Sequence, residues 1–234
     1  MRQYLQNKKE LVKNVFNEVY DKYDLMNDFM SIGVHRIWKK DLINWMAPYP
    51  KKKLIDMACG TGDLGKLFLE SVNFDGKVLF VDPNSKMLEK GSERLKNHKN
   101  ISWKKGSAEK VPAPNNCFDY YCISFGLRNT KNISKSLKEA YRILKPGGRF
   151  LCLEFSKVQN LHFDNLYKKY TKLFPHIGKI VVGEKEPYEY LIKSIESFIN
   201  QDKLIELMQK NYFTKCEYRN LSGGVVAIHS GWKI

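Results

Sequence analysis

The fold follows from two runs, Leu54-Ile55-Asp56-Met57-Ala58-Cys59-Gly60-Thr61-Gly62-Asp63 and Val78-Leu79-Phe80-Val81-Asp82. An apolar run, a glycine turn and a second apolar run ending in an acid predict two neighbouring strands of a parallel sheet. Gly60 and Gly62 lack the Cβ atoms that would keep a ligand off the backbone. Asp82 can accept hydrogen bonds from both hydroxyls of a ribose. The two runs therefore predict a nucleoside site.

The same glycines satisfy the G-x-G-x-x-G fingerprint of dinucleotide-binding proteins. Two acids argue against a pyrophosphate at this turn, because Asp56 lies within the strand and Asp63 lies at the helix N-terminus. Negative groups there suit a cationic ligand better, and S-adenosylmethionine carries a sulfonium and an ammonium group. The alternative is an ordinary strand-to-helix turn, against which the spaced Asp82 argues.

Composition limits the class of protein. The 234 residues, 43% of them hydrophobic, suffice for one well-buried domain but not comfortably for two. Five scattered cysteines show neither zinc spacing nor a disulfide framework, which favours a reducing compartment. We find no apolar run of the roughly 20 residues that a membrane span needs, and the polar start argues against a signal peptide. We expect a cytoplasmic protein, with any membrane contact peripheral and at the inner face.

The net charge of +15 would suit nucleic acid or an anionic membrane. Only seven of the 40 basic residues are Arg, whereas surfaces that read nucleic acid usually favour Arg. A solvated basic surface is therefore the first interpretation, membrane attraction the second and nucleic acid the last. We expect no nucleic-acid partner.

The order of elements predicts an α/β fold with a seven-stranded, mostly parallel sheet. A helical cap (1–50) contains an amphipathic helix at Lys8–Tyr23 and a second apolar segment that Pro48 ends. The following half (51–156) alternates strands and helices, as parallel sheets do, and a helical lid (157–214) and a closing antiparallel hairpin (215–234) complete one domain. The strands are predicted at 54–58, 77–81, 101–104, 118–124, 150–155, 215–220 and 224–230, and the helices at 63–71, 84–97, 133–144, 188–199 and 201–211.

Three longer segments carry a family resemblance: Val19–Lys39, with its Tyr-Asp-Leu-Met-Asn string, Phe125–Asn129 with Tyr141–Ser156, and Asn220–Lys233. In these segments the chain resembles, nearly end to end, the ubiquinone/menaquinone biosynthesis C-methyltransferases. The resemblance implies a Rossmann-like class I methyltransferase fold and S-adenosyl-L-methionine as cofactor. It implies C-methylation of a prenylated benzoquinol or naphthoquinol, such as 2-methoxy-6-polyprenyl-1,4-benzoquinol or demethylmenaquinol. The alternative is a methyltransferase that acts on RNA or on another small aromatic substrate.

The resemblance also implies a set of cofactor-binding residues. Thr61 would lie at the glycine turn, Asp82 at the ribose and Ser124 at the end of the fourth strand. Relatives often carry Asp or Asn where this chain has Ser107, so a backbone contact at Ala108 is an alternative to a side-chain contact with the adenine. The predicted cofactor-binding residues are Asp56, Gly60, Thr61, Gly62, Asp82, Ser107, Ala108 and Ser124.

Arg128 and Asn129 are the predicted catalytic residues. The acceptor carbon becomes nucleophilic when a ring hydroxyl ionises, and Arg128 could stabilise that charge directly or through water. Arg128 is implausible as a base, since its pKa is normally above ~12. The alternatives are a structural Arg that pins the loop and an Asn129 that only forms a turn. Glu154, at the ligand edge of the fifth strand, receives no role from the sequence.

Residues of the cap and lid would bind the substrate. Tyr23, Asn27 and His35 could close over both ligands, although a lone His beside Arg36 and Trp38 is more often structural. Aromatic residues alternate with lysines from Phe163 to Tyr190, which suits a lid that receives a polyprenyl tail from an anionic membrane; a lid packed on its own domain is the alternative. The apolar cap would permit a homodimer or a complex with other quinone-biosynthesis proteins. We expect no metal.

Overall fold

The computed structural model describes residues 33–158 and 186–234, with side chains from Tyr190 onward in the second range. Several predictions fall outside the described residues: the helix at Lys8–Tyr23, two of the substrate residues and most of the aromatic series of the lid. These two residues are Tyr23 and Asn27.

The described strands form one seven-stranded sheet in the order β3-β2-β1-β4-β5-β7-β6. Strands β1 to β5 pair in parallel, and β7 is antiparallel to both β5 and β6. The predicted mostly parallel sheet with an antiparallel last strand is confirmed. The strands are β1 Lys53–Met57, β2 Lys77–Asp82, β3 Ile101–Lys105, β4 Phe118–Ser124, β5 Leu144–Phe155, β6 Thr214–Leu221 and β7 Val226–Trp232.

Six α-helices and two 3₁₀ turns accompany the sheet in the described part of the chain. Asparagine side chains cap three of the helices by accepting hydrogen bonds from backbone N–H groups of the first turn. The helices are α1 His35–Met46, α2 Asp63–Ser71, α3 Ser85–Arg94, α4 Ile133–Ile143, α5 Glu186–Glu196 and α6 Gln201–Lys210, and the 3₁₀ turns are Leu127–Asn129 and Ser222–Gly224.

Alternation along the strands divides the core into two layers. Leu54 of β1 packs in the layer that contains Leu42 of α1 and Phe68 of α2. Ile55, the next residue, packs in the layer that contains Leu137 of α4. Successive side chains of a strand point to opposite faces, and both faces of this sheet are covered. The uninterrupted apolar runs of β1 and β2 follow from burial on both sides.

The start of β5 differs from the prediction. The sequence predicts a turn at 145–149 and a strand from Phe150, but the strand begins at Leu144, directly after α4. Leu144 lies opposite Phe118 and Arg149 opposite Tyr120, so the intervening residues form an irregularity within the strand. Gly147 has a φ of 78° and its N–H donates to Lys233 O at 2.7 Å. Hydrogen bonds of Gly147 and Gly148 with Lys233, the residue after β7, therefore extend the strand through the Pro-Gly-Gly segment.

Arg149 fastens the end of α1 to the sheet. Its Nη1 donates to Trp45 O at 2.6 Å, its Nε donates to Ser230 Oγ at 2.8 Å, and its guanidinium lies over the rings of Trp45 and Trp232 at 5.2 Å and 4.9 Å. The other end of α1 reaches the carboxyl edge of the sheet, where Lys39 contacts Asp63. This anchoring holds α1 beside the glycine turn.

Candidate active site at the carboxyl edge of the sheet

The glycine turn joins β1 to α2 through left-handed backbone. Ala58, Gly60 and Gly62 have φ values of 52°, 55° and 88°. A Cβ at Gly62 would lie 2.8 Å from the ring of Trp103, so both the conformation and the space require glycine there. Gly62 is buried, and the absence of its Cβ leaves room for Trp103 rather than for a ligand; Gly60 is the glycine of the turn that stays partly exposed.

Asp82 ends β2 beside this turn. Its Oδ2 accepts from Gly60 N–H at 3.0 Å and its Oδ1 accepts from Asn84 N–H at 2.8 Å. Burial raises the pKa of Asp82 to about 6, and these two backbone hydrogen bonds oppose the rise. Each carboxylate oxygen has two lone pairs, so each retains a site for a ribose hydroxyl. The geometry fits the ribose contact predicted for Asp82.

The acids around the turn carry less negative charge than the sequence suggests. Lys39 Nζ lies 2.9 Å and Arg94 Nη1 2.6 Å from the carboxylate oxygens of Asp63. Burial favours a higher pKa for Asp63, but these two cations lower it well below its usual value. Burial raises the pKa of Asp56 to about 7. The argument that these two acids repel phosphates is therefore wrong in its physical basis, because one is neutralised by cations and the other is only partly ionised at neutral pH.

Asp56 instead has a structural contact in the turn. Its Oδ2 accepts from Gly65 N–H at 3.0 Å, and the side chain is buried. The hydrogen bond ties the first turn of α2 to β1 and so determines where α2 begins. The structure places Asp56 beneath the glycine turn, and Thr61 lies buried within that turn.

The segment after β3 lies next to Asp82. Gly106 N–H donates to Asp82 O at 3.2 Å, and Ser107 and Ala108 follow directly. Ser107 forms an isolated bridge with Lys110, and Ala108 is buried. The structure therefore brings the two predicted adenine contacts to the same edge as the predicted ribose contact.

Strand β4 ends at Ser124, whose hydroxyl is buried. Ser124 Oγ has no hydrogen-bond partner in residues 33–158 and 186–234. Buried hydroxyls are normally paired, so a ligand at this position would satisfy an otherwise costly atom. Among the predicted site residues, Ser124 has a buried hydroxyl that a ligand could pair with a hydrogen bond.

The loop 125–129 packs directly against the glycine turn. A Cβ at Gly126 would lie 2.5 Å from the Cβ of Ala58, a separation that no larger residue could accommodate without movement. The rings of Trp38 and Phe125 are 6.2 Å apart, and those of Phe125 and Phe155 are 5.0 Å apart. An apolar wall thus stands beside the junction of the loop and the turn.

Arg128 is buried in an ion pair that the sequence did not predict. Its Nη1 donates to Glu154 Oε1 at 2.8 Å and to Phe125 O at 2.5 Å, and its Nε donates to Ser194 Oγ at 3.2 Å. Glu154 also accepts from the backbone N–H groups of Arg128 and Phe155. The guanidinium therefore pins the loop, as in the structural alternative, while keeping its positive charge at the carboxyl edge of the sheet.

Asn129 lies beside this ion pair. Its Oδ1 accepts a hydrogen bond from the hydroxyl of Tyr190 at 2.9 Å. Sequence reasoning counted Tyr190 only within an aromatic series and did not single out Ser194. The spacing of four residues, which puts both on one face of a helix, was the available signal.

His35 begins α1 and is buried, so the structure places it in the cap close to Trp38 and Lys39.

A cavity of about 380 Å³ lies at the opposite end of the sheet, against the first residues of β1, β2 and β4. A second cavity of about 350 Å³ includes Arg128 in its lining. The second therefore adjoins Arg128, one of the two predicted catalytic residues.

The sheet order, with its antiparallel last strand, and the glycine turn followed by Asp82 are those of the class I S-adenosylmethionine-dependent methyltransferases. The model of the ubiE/COQ5 methyltransferase family matches residues 3–233. The chain belongs to this family.

Proteins named ubiquinone/menaquinone biosynthesis C-methyltransferase UbiE are similar to it over most of their length. The protein of Rickettsia akari is 45% identical over 97% of this chain and 94% of its own. That of Brucella abortus strain S19 is 42% identical over 97% of this chain and 87% of its own. The resemblance noted from the sequence is confirmed.

Solved structures show the same fold. A SAM-dependent methyltransferase of Thermotoga maritima has a TM-score of 0.68 and 20% identity, covering 95% of this chain and 99% of its own. An N-methyltransferase of Haemonchus contortus in complex with S-adenosylhomocysteine has a TM-score of 0.62 and 15% identity. The match covers 84% of this chain and 52% of that protein. The protein is an S-adenosylmethionine-dependent methyltransferase.

Proposed function

We propose that this protein transfers a methyl group from S-adenosyl-L-methionine to an unsubstituted ring carbon of a prenylated benzoquinol or naphthoquinol. The substrate class comes from the relatives that are 42–45% identical over 97% of the chain. The structural observation that carries the proposal is the contact between Gly126 and Ala58, because it puts the Phe-Gly-Leu-Arg-Asn loop against the cofactor turn. Demethylmenaquinol and 2-methoxy-6-polyprenyl-1,4-benzoquinol are the proposed acceptors.

The cofactor supplies an electrophilic methyl group on a sulfonium. Asp82 would hold its ribose, the backbone of Gly60, Thr61 and Gly62 would lie along it, and Ser124 Oγ would gain a hydrogen-bond partner. Ser107 and Ala108 would contact the adenine, and Asp56 supports the turn from below through Gly65. This set matches the chemistry of the ligand, since a carboxylate with free lone pairs suits vicinal hydroxyls.

The acceptor carbon needs electron density from an ionising ring hydroxyl. Arg128 lies at this edge of the sheet in an ion pair with Glu154, so its guanidinium would stabilise an ionised ring oxygen as the positive end of that pair rather than as a free charge. Asn129 can donate a hydrogen bond to the same oxygen. The aromatic wall of Trp38, Phe125 and Phe155 would exclude water from the ring. Tyr23, Asn27 and His35 of the cap are proposed to bind the substrate.

We propose peripheral contact with the inner face of the membrane, because a prenylated quinol is a membrane lipid. The net charge of +15 supports attraction to anionic headgroups. Within the residues that the structure describes, no helix is long and apolar enough to cross a membrane. The same proposal includes assembly into a homodimer or a quinone-biosynthesis complex. It also includes the division of one domain into cap, cofactor half, lid and hairpin.

An assay with purified protein tests the proposed function. S-adenosylmethionine with a labelled methyl group would be offered with demethylmenaquinol, the prenylated benzoquinol or bulk RNA, and the products separated by mass. Label on a ring carbon of either quinol is expected. Label on RNA alone would contradict the proposal, and calorimetric binding of NADH without S-adenosylhomocysteine binding would contradict the cofactor as well.

A further inference from the structure

One face of α5 contacts both predicted catalytic residues. Tyr190 and Ser194 are four residues apart and therefore lie one above the other on the helix. The Tyr190 hydroxyl donates to Asn129 Oδ1 at 2.9 Å, and Ser194 Oγ accepts from Arg128 Nε at 3.2 Å. The 3₁₀ turn that carries Arg128 and Asn129 is thus held from one side by a single helix.

The hydrogen bond between Arg128 and Ser194 has one possible direction, because a guanidinium donates and cannot accept. Ser194 donates its own proton to Leu191 O at 2.7 Å, which leaves its lone pairs for Arg128. Tyr190 donates to the carbonyl oxygen of the Asn129 amide, so the amide nitrogen lies on the other side. Within the described residues, no acceptor lies within hydrogen-bond distance of Asn129 Nδ2. A hydroxyl can donate or accept, so Tyr190 fixes the position of the Asn129 side chain, and in the observed arrangement it pairs with the amide oxygen.

We propose that Tyr190 is a positioning residue that holds the Asn129 side chain where its amide can donate a hydrogen bond to the ionising ring oxygen of the acceptor. This inference rests on the proposed function and deepens it. If the amide turned over, its carbonyl oxygen would face the developing negative charge and repel it. Tyr190 therefore acts through Asn129 and needs no contact with the substrate.

Replacement of Tyr190 by Phe removes the hydroxyl and keeps the ring. We expect kcat for the quinol to fall roughly three- to tenfold, the effect of one neutral hydrogen bond, with KM for S-adenosylmethionine unchanged. The limb of the kcat profile that reports ionisation of the ring hydroxyl should move to higher pH. A tyrosine that only packs α5 would lower thermal stability without moving this limb.

A double-mutant cycle tests whether Tyr190 acts through Asn129. Asn129→Ala alone should lower kcat, and Tyr190→Phe in that background should have no further effect on kcat. Asn129→Asp should lower kcat more than Asn129→Ala does, because an ionised carboxylate accepts a hydrogen bond from Tyr190 but repels the ionised ring oxygen. Tyr212→Phe is the matched control, since its side chain is exposed.

The outcomes separate this inference from the proposed function. Additive losses in the cycle, or a Tyr190→Phe enzyme with the wild-type kcat and pH profile, would overturn the positioning role while wild-type activity upheld the proposed function. Wild-type protein that methylates neither quinol would overturn the proposed function and this inference with it.

Discussion

The cofactor side and the acceptor side of this site are built in different ways. On the cofactor side, the hydrogen bonds of Asp56 and Asp82 go to backbone N–H groups only 2, 9 and 22 residues away. On the acceptor side, the side-chain hydrogen bonds of Arg128 to Glu154 and Ser194 span 26 and 66 residues, and that of Asn129 to Tyr190 spans 61. Backbone donors serve the buried acids of the first side, where Lys39 and Arg94 are the distant side chains that reach Asp63, and packing of distant charged and polar side chains makes the second.

This difference implies different sensitivities. The cofactor side should keep its geometry as long as the strand, turn and helix form. The acceptor side depends on a buried ion pair, whose partners are costly to leave alone. The substitutions below test that contrast, in decreasing order of expected effect.

Glu154→Ala should have the largest effect, because it leaves the Arg128 guanidinium buried without its carboxylate. We expect the free energy of unfolding in urea to fall by about 3–5 kcal/mol. Glu206→Ala, which removes the acid of the exposed pair with Lys203, is the control and should leave the urea midpoint unchanged. Equal midpoints for the two variants would remove the contrast between the two sides.

Asp56→Asn should change the pH dependence of stability. Burial raises the pKa of Asp56 from 3.8 to about 7, so the folded protein binds this proton more tightly than the unfolded chain. The contribution of Asp56 to stability is therefore full below pH 4 and is lost as the pH rises through about 7. Asparagine avoids this loss, so we expect the variant to gain stability relative to wild type between pH 4 and pH 8, by up to roughly 4 kcal/mol.

Urea unfolding at several pH values measures this gain. Asp119→Asn is a control for which the expected change in stability has the opposite sign. Burial favours a higher pKa for Asp119, but the Lys53 N–H group and Lys145 lower it. Its removal should cost stability at pH 8 rather than at low pH. A gain for Asp56→Asn that is the same at pH 4 and pH 8 would show that ionisation of Asp56 is not the cause.

Gly126→Ala tests the junction between the two sides. The added Cβ would lie 2.5 Å from the Cβ of Ala58, so the loop and the glycine turn must separate. We expect a loss of about 1–3 kcal/mol in unfolding free energy, as for overpacked cores, with weaker S-adenosylhomocysteine binding and lower kcat together. Gly147→Ala is the control, since open space surrounds that position and only its positive φ opposes the change. Loss of kcat alone would show that the junction does not shape the cofactor site.

Asp82→Ala should weaken cofactor binding, and it also removes the hydrogen bonds that the carboxylate accepts from Gly60 N–H and Asn84 N–H. Loss of the proposed ribose acceptor should weaken S-adenosylhomocysteine binding at least tenfold, about 1.4 kcal/mol, in calorimetry. Asp75→Ala, at an exposed position before β2, should leave the affinity unchanged. Unchanged affinity in Asp82→Ala would remove its proposed role, and a large loss of stability would show that the cofactor side also depends on a buried charge.

Patterns in the sequence were sufficient wherever a structure depends on neighbours along the chain. The period of the apolar residues predicts the strands and helices to within a few residues, and the spacing from the glycine turn to Asp82 predicts which strand ends come together. The start of β5 was predicted wrongly because Gly147 pairs with Lys233 O, far away in sequence. The roles assigned to all the site residues stay predictions, and Tyr23 and Asn27 also lie outside the described residues.

Local pattern predicted the sheet, the glycine turn and the family, because backbone hydrogen bonding and alternating burial repeat over a few residues. Tertiary structure alone decided the partners of the charged groups. The sequence gives Glu154 no role, but the fold places it in an ion pair with Arg128. The sequence suggests that Asp63 is a free negative charge, but α1 and α3 place Lys39 and Arg94 beside it. A charge acts through space rather than along the chain, so its effect depends on which distant residues the fold places beside it.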